Sequence, residues 1–198
     1  MVERVYLMRH GHVNNGNEKR YLGRTDDVPL DAVGIAQAKT LHKYFKTIPI
    51  DAVFTSPLKR CVQTTEIVCK GKCGHYERVE AFIEIDMGDW ENVPMAQIKS
   101  AYPELYAKRG EDIEHFTPPH GESFHDVAAR ARYAFDAITH HATGTILIVA
   151  HAGVNRTILA NILGISINDM LCIEQPYACV NELTWNEQRI QWDNKRVF

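Results

Sequence analysis

Thr145-Ile146-Leu147-Ile148-Val149-Ala150-His151-Ala152-Gly153 is the stretch that decides the architecture of this chain. Its run from Ile146 to Ala150 is continuously apolar and does not alternate, so both of its faces call for burial. That is the pattern of a parallel strand covered by helices on either side. Upstream, Ser123 with Asp126 three places on has the form of a capping box. It opens a helix with the stripe Phe124, Val127, Ala131, Phe135 and Ile138. Downstream, Val154, Ile158, Leu159 and Ile162 share one side of another helix. Residues 180–185 and 189–192 read as two edge strands joined by a turn at Asn186-Glu187.

The N-terminal half alternates in the same way. Residues 5–8 form a first strand, and Asp31 caps a helix with the stripe Ile35, Ala38, Leu41 and Phe45. Residues 52–54 are a second strand, after which Ser56-Pro57 reads as an N-cap and first helical residue of a helix through Val68. A weaker strand follows at 76–79. Residues 88–120, rich in proline, aromatic and charged residues, read as a helical, lid-like insertion. The expected fold is therefore α/β, a three-layer sandwich with a mostly parallel central sheet and helices on both faces.

With 198 residues, 45% hydrophobic and 24% charged, the chain fits one domain spanning 1–198. A net charge of −3 gives no reason to expect nucleic acid or an anionic membrane as a partner, and no run is long enough to span a bilayer. The five cysteines (Cys61, Cys69, Cys73, Cys172 and Cys179) are odd in number, include no CxxC pair and follow no secretory signal, so the cytoplasm is the expected compartment. Nothing in the residues requires an oligomer.

In a parallel sheet, ligands bind beyond the carboxyl ends of the strands. Arg9 and His10 follow the first strand, with Gly11 supplying backbone freedom for a sharp turn; Arg60 sits on the first turn of the helix after the second strand. Glu84 follows the third strand and His151 the fourth. Two guanidiniums, two imidazoles and a carboxylate at one edge describe a pocket for a phosphoryl group. An unprotonated histidine can attack phosphorus, nearby arginines keep it unprotonated, and a carboxyl group can protonate the leaving oxygen. The remaining histidines, His12, His42, His75, His115, His120, His125, His140 and His141, show no HExxH or similar metal spacing.

These residues sit in motifs that resemble the histidine phosphatase superfamily, the phosphoglycerate mutase-like enzymes, from Val5 to about Trp185. The motifs are Arg9-His10-Gly11, Gly23-Arg24-Thr25-Asp26, the run from Ser56 through Arg60 to Thr65, the run from Glu84 to Glu91, Gly121-Glu122-Ser123, and Ala150-His151-Ala152-Gly153. The resemblance implies a phosphohistidine on His10, a phosphate pocket of Arg9, Arg60 and His151, acid–base work by Glu84, and neither a metal nor a cofactor. One departure stands out. Where the family often carries Glu-Thr and then a phosphate-touching Asn, this chain has His12, Val13 and Gly16, leaving Asn14, Asn15 or Asn17 to substitute.

The expected activity is hydrolysis of a small phosphomonoester. The alternatives are a phosphoglycerate mutase-type phosphotransferase and a non-catalytic phospholigand-binding protein, against which an intact His10 and Glu84 argue. Within 88–120, Lys99, Lys108 and Arg109 face Asp89, Glu91, Glu104, Glu111, Asp112 and Glu114, a balance that disfavours a doubly anionic substrate. Trp90, Tyr102, Tyr106 and Phe116 are candidates to stack on a flat neutral group, or to be core. The length and the Gly88-Asp89-Trp90-Glu91 segment resemble the α-ribazole phosphatase branch, which serves cobalamin biosynthesis; broad-specificity phosphatases share much of that pattern.

Overall fold

The computed structural model describes residues 1–198 apart from Asn17, Cys73 and Ile190. Six strands form one sheet in the order β3-β2-β4-β1-β5-β6, comprising β1 (Val2–Arg9), β2 (Ala52–Thr55), β3 (Glu77–Arg78), β4 (Gly144–Ala150), β5 (Val180–Asn186) and β6 (Gln191–Arg196). The first four pair in parallel, whereas β5 runs antiparallel to both β1 and β6. The continuous apolar run is β4, at the sheet's centre. Its Ile146, Ile148 and Ala150 face a core shared with α5 (Phe124–His141) and α6 (Ala152–Leu163). The intervening Leu147 and Val149 face a second core with α1 (Ala32–Tyr44) and α2 (Lys59–Val68). Both faces are thus covered, giving the expected three-layer α/β sandwich.

Local chemistry sets the helix starts. Asp31 Oδ1 accepts from Gly34 N at 2.9 Å, capping α1. Ser123 and Asp126 form the reciprocal capping box of α5. Ser56 does not cap α2: the helix begins at Lys59, two residues later than the sequence pattern indicates, and its N-cap Leu58 has no side-chain bond to give. The Ser56 hydroxyl is instead 2.7 Å from His151 Nε2, a use that a local pattern does not reveal.

Other readings need correction too. Ile35, placed on the buried stripe of α1, is 38% exposed, and Gly34 takes the buried position. Gly11 is absent from the left-handed region; a Cβ there would lie 2.7 Å from Gly34 O, so close backbone approach is what requires glycine. The strand at 76–79 shrinks to the two residues of β3. Strand β5 is interior, because β6 flanks it; β6 starts later than expected, and Ile190 of the 189–192 strand lies outside the described residues, as does Cys73. The 88–120 segment contains α3 (Met95–Ala101) and α4 (Pro103–Glu111). No described helix is long and apolar enough to cross a membrane.

Candidate active site

Strand register assembles the site. Arg9 on β1 pairs with Ala150 on β4, so the next residues, His10 and His151, emerge side by side with ring centroids 5.2 Å apart. From α2, Arg60 is 1% exposed and donates from Nε to His151 Nδ1 at 3.3 Å and from Nη2 to Gly23 O at 2.7 Å. Glu84 is also buried: its Oε2 accepts from Gly153 N on the first turn of α6 at 3.2 Å, and its Oε1 accepts from Ile85 N. All five sequence-predicted residues therefore gather at the carboxyl rim of the parallel strands.

The hydrogen bonds assign the tautomers. His10 Nδ1 lies 2.8 Å from Gly11 O; a carbonyl only accepts, so Nδ1 carries the proton and Nε2 holds the lone pair. Burial, then the charges of Arg60 and Arg9, hold the His10 pKa well below the ordinary 6.5. His151 is depressed likewise, by burial first and Arg60 second. With Arg60 donating to its Nδ1, His151 presents Nε2–H to Ser56 Oγ. Arg9 stands 3.8 Å over the Tyr177 ring and donates to Gln175 O, while its buried Nε has no partner among the described residues.

An adjoining cavity of about 450 Å³ is lined by Arg9, Glu84, Tyr21 and Tyr177, and by three further arginines, Arg20, Arg109 and Arg156. Sequence reasoning did not bring Arg20 or Arg156 to the site and weighed Arg109 only as one charge in the balance of 88–120, because the three come from separate places, the loop after β1, α6 and α4. Counting charge along 88–120 does not describe this cavity, to which that segment contributes Arg109 and Met95. None of Arg9, Arg60, Arg109 and Arg156 has a carboxylate within ion-pair distance among the described residues. Arg60 is fully buried and the other three are partly buried; unneutralised guanidiniums converging in this way call for an anion.

The four candidate stacking aromatics do not line the cavity. Trp90 is core, 5.2 Å from Phe116, Tyr106 packs at the core's edge and Tyr102 is exposed. Of the candidate asparagines, Asn15 lines the cavity, Asn14 accepts from Gly16 N, and Asn17 lies outside the described residues. Val13 is buried, and His12 Nδ1 pairs with Asp31 at 2.6 Å. Arg130 on α5 was also not foreseen. It donates to the carbonyls of Ala81 and Ile83 at 2.7 Å each and pairs with Glu122 at 2.8 Å, fixing the loop that carries Glu84.

A doubly covered, mostly parallel sheet with an arginine–histidine cradle and a buried carboxylate at its carboxyl rim defines an α/β protein of the phosphoglycerate mutase-like fold. The chain belongs to the histidine phosphatase superfamily (branch 1), whose profile matches residues 5–196 and whose members are phosphatases. It is 32% identical over 183 residues to human 6-phosphofructo-2-kinase/fructose-2,6-bisphosphatase 3, an alignment covering 91% of this chain but only 33% of that relative's length. It is 26% identical to the adenosylcobalamin/alpha-ribazole phosphatase of Escherichia coli, over 93% of this chain and 91% of the relative. Among solved structures, Bacillus stearothermophilus YhfR superposes with a TM-score of 0.88 at 27% identity, over 100% of this chain and 96% of the other.

Proposed function

We propose that this protein is a cytoplasmic, metal-independent phosphomonoester hydrolase that works through a phosphohistidine on His10. One arrangement carries the reading: the His10 Nδ1–H is committed to Gly11, and burial with Arg60 and Arg9 nearby holds its pKa well below 6.5, which keeps the Nε2 lone pair free in a cationic pocket. Arg9, Arg60 and His151 grip the phosphoryl oxygens. His10 Nε2 attacks phosphorus; the N–P bond forms as the bond to the leaving oxygen breaks, and the Glu84 carboxyl group delivers a proton to that oxygen. Water then attacks the phosphohistidine while Glu84 takes its proton, and the N–P bond breaks to release inorganic phosphate. In this reading residues 1–198 act as one domain, and 88–120 serves as a lid.

The first substrate proposed is α-ribazole 5′-phosphate, supported by the near full-length likeness to the Escherichia coli relative. A second reading has its own support. Arg20, Arg109 and Arg156 around the cavity suit a phosphomonoester bearing another anionic group, as does the likeness to a relative named for a bisphosphatase activity.

The test is a single-turnover reaction with ³²P-labelled substrates and chelator present. The expected result is acid-labile label on His10, released as inorganic phosphate, with His10→Ala slowing turnover roughly 10⁴-fold or more. Label passed to a second substrate would mean a mutase, and no label at all a binding protein. A panel of α-ribazole 5′-phosphate, 3-phosphoglycerate, fructose 2,6-bisphosphate, a sugar monophosphate and an aryl phosphate separates the substrate readings. Arg109→Ala and Arg156→Ala raise KM selectively for doubly anionic substrates if the second reading holds. An α-ribazole rate no better than the aryl rate removes the first.

A further inference from the structure

Glu114, His115 and His125 meet on the surface where the chain leaving α4 passes the first turn of α5. We infer that they form a binding site for a divalent cation of the Zn²⁺ class, separate from the catalytic cavity. One donor atom from each residue lies within 4.8 Å of the other two. Glu114 Oε1 is 3.5 Å from His125 Nδ1 and 3.9 Å from His115 Nε2. Donor atoms around a tetrahedral Zn²⁺ with bonds of about 2.0–2.2 Å lie about 3.3–3.6 Å apart, so small rotations of these side chains close the set.

A second feature points to a ligand. His115 Nδ1 is 3.1 Å from Asp112 Oδ2 and 3.2 Å from Oδ1, so this nitrogen carries the proton and donates to the carboxylate. Its lone pair is then on Nε2, the atom facing Glu114. A carboxylate behind an imidazole is the arrangement that fixes the tautomer and orientation of a metal-binding histidine. Backbone bonds hold the parts in place: His125 N donates to Glu114 O at 2.9 Å, and Glu114 N donates to Asn168 Oδ1 at 3.0 Å.

Two imidazoles and one carboxylate favour Zn²⁺, Cu²⁺ or Ni²⁺ over Mg²⁺ and Ca²⁺, and leave a fourth position for water. None of the three residues lines the cavity, so the site is independent of the chemistry at His10. A bound cation would clasp the end of α4, whose last turn carries Arg109, to the start of α5.

The test uses the full chain, free of any affinity tag and stripped with chelator, titrated with ZnCl₂ by calorimetry and followed by thermal unfolding. Tetrahedral coordination is read from the visible absorption of the Co²⁺ form. The expected result is one Zn²⁺ per chain and a raised Tm, with no effect of Mg²⁺ or Ca²⁺. The double variant His115→Ala/His125→Ala loses the Tm rise and binds at least ~10-fold more weakly, and Asp112→Asn weakens binding by about 10–100-fold. The control His140→Ala/His141→Ala binds like the parent. An unchanged far-ultraviolet circular dichroism spectrum in all metal-free variants reports folding. Absence of Zn²⁺ binding by the parent, or parental affinity in the His115/His125 variant, overturns the inference.

Discussion

Gly153 shows how one missing side chain shapes the candidate site. A Cβ there would lie 2.5 Å from Glu84 Oε1 and 3.0 Å from a Phe124 ring carbon, while its N–H holds the other carboxylate oxygen. Near the start of α6 the backbone itself tolerates alanine, so Gly153→Ala leaves the fold intact and pushes Glu84 aside. If Glu84 protonates the leaving group, poor leaving groups suffer most. The expectation is a fall of about 10–100-fold in kcat/KM for an alkyl phosphate and a much smaller fall for a nitrophenyl ester, with Glu84→Gln giving the same asymmetry. Equal slowing of both esters in both variants would remove Glu84 from the acid–base role.

At the scale of elements, the two serine caps inferred from sequence had different fates. Ser123 and Asp126 satisfy each other's backbone N–H groups, and the Asp126 carboxyl is held below its usual range chiefly by hydrogen bonds from Ser123. Ser123→Ala therefore costs about 1–2 kcal/mol of stability, read from denaturant unfolding, whereas Ser123→Thr retains most of it. Ser56 has equally good local credentials, yet its hydroxyl serves His151, and α2 starts uncapped. The capping box was legible because both partners lie within four residues. The Ser56 contact spans 95 positions, and no local pattern encodes it. Strand β4 was legible from its double-sided burial, whereas β3 and the hairpin boundaries, being short or half-exposed, carry weak periodicity. Likewise Ile35 looked buried because apolar spacing fits two neighbouring faces of a helix, and packing against the His12 backbone selected the Gly34 side.

For the whole molecule, the parallel register converts distant strand ends into one charged rim, which is why Arg9, His10, Arg60, Glu84 and His151 could be grouped from their positions after strands. Arg20, well into the loop after β1, and Arg156, a turn into α6, lie farther from their strand ends, and Arg109 and Tyr177 come from segments that do not leave a parallel strand, so that rule does not single them out. The same rim makes stability depend on pH. Folding buries His10 and His151 and, with Arg60 and Arg9 nearby, holds both pKa values well below 6.5. Below about pH 6.5 the unfolded chain binds protons at these two positions while the folded chain does not. Stability therefore falls as pH drops from about 6.5 towards the depressed folded values, by up to about 1.4 kcal/mol per pH unit for each histidine. Carboxylates held below their usual range, such as Asp31 and Asp126, add their losses only at more acid pH, below about 4, so the two windows separate. Urea unfolding between pH 7.5 and 5 is expected to show this slope, and His10→Gln to remove about half of it, because glutamine does not titrate. A stability that stays flat across that range would mean that the two imidazoles titrate in the folded protein as they do in the unfolded chain, which would remove the depressed pKa that keeps His10 unprotonated into mildly acid pH.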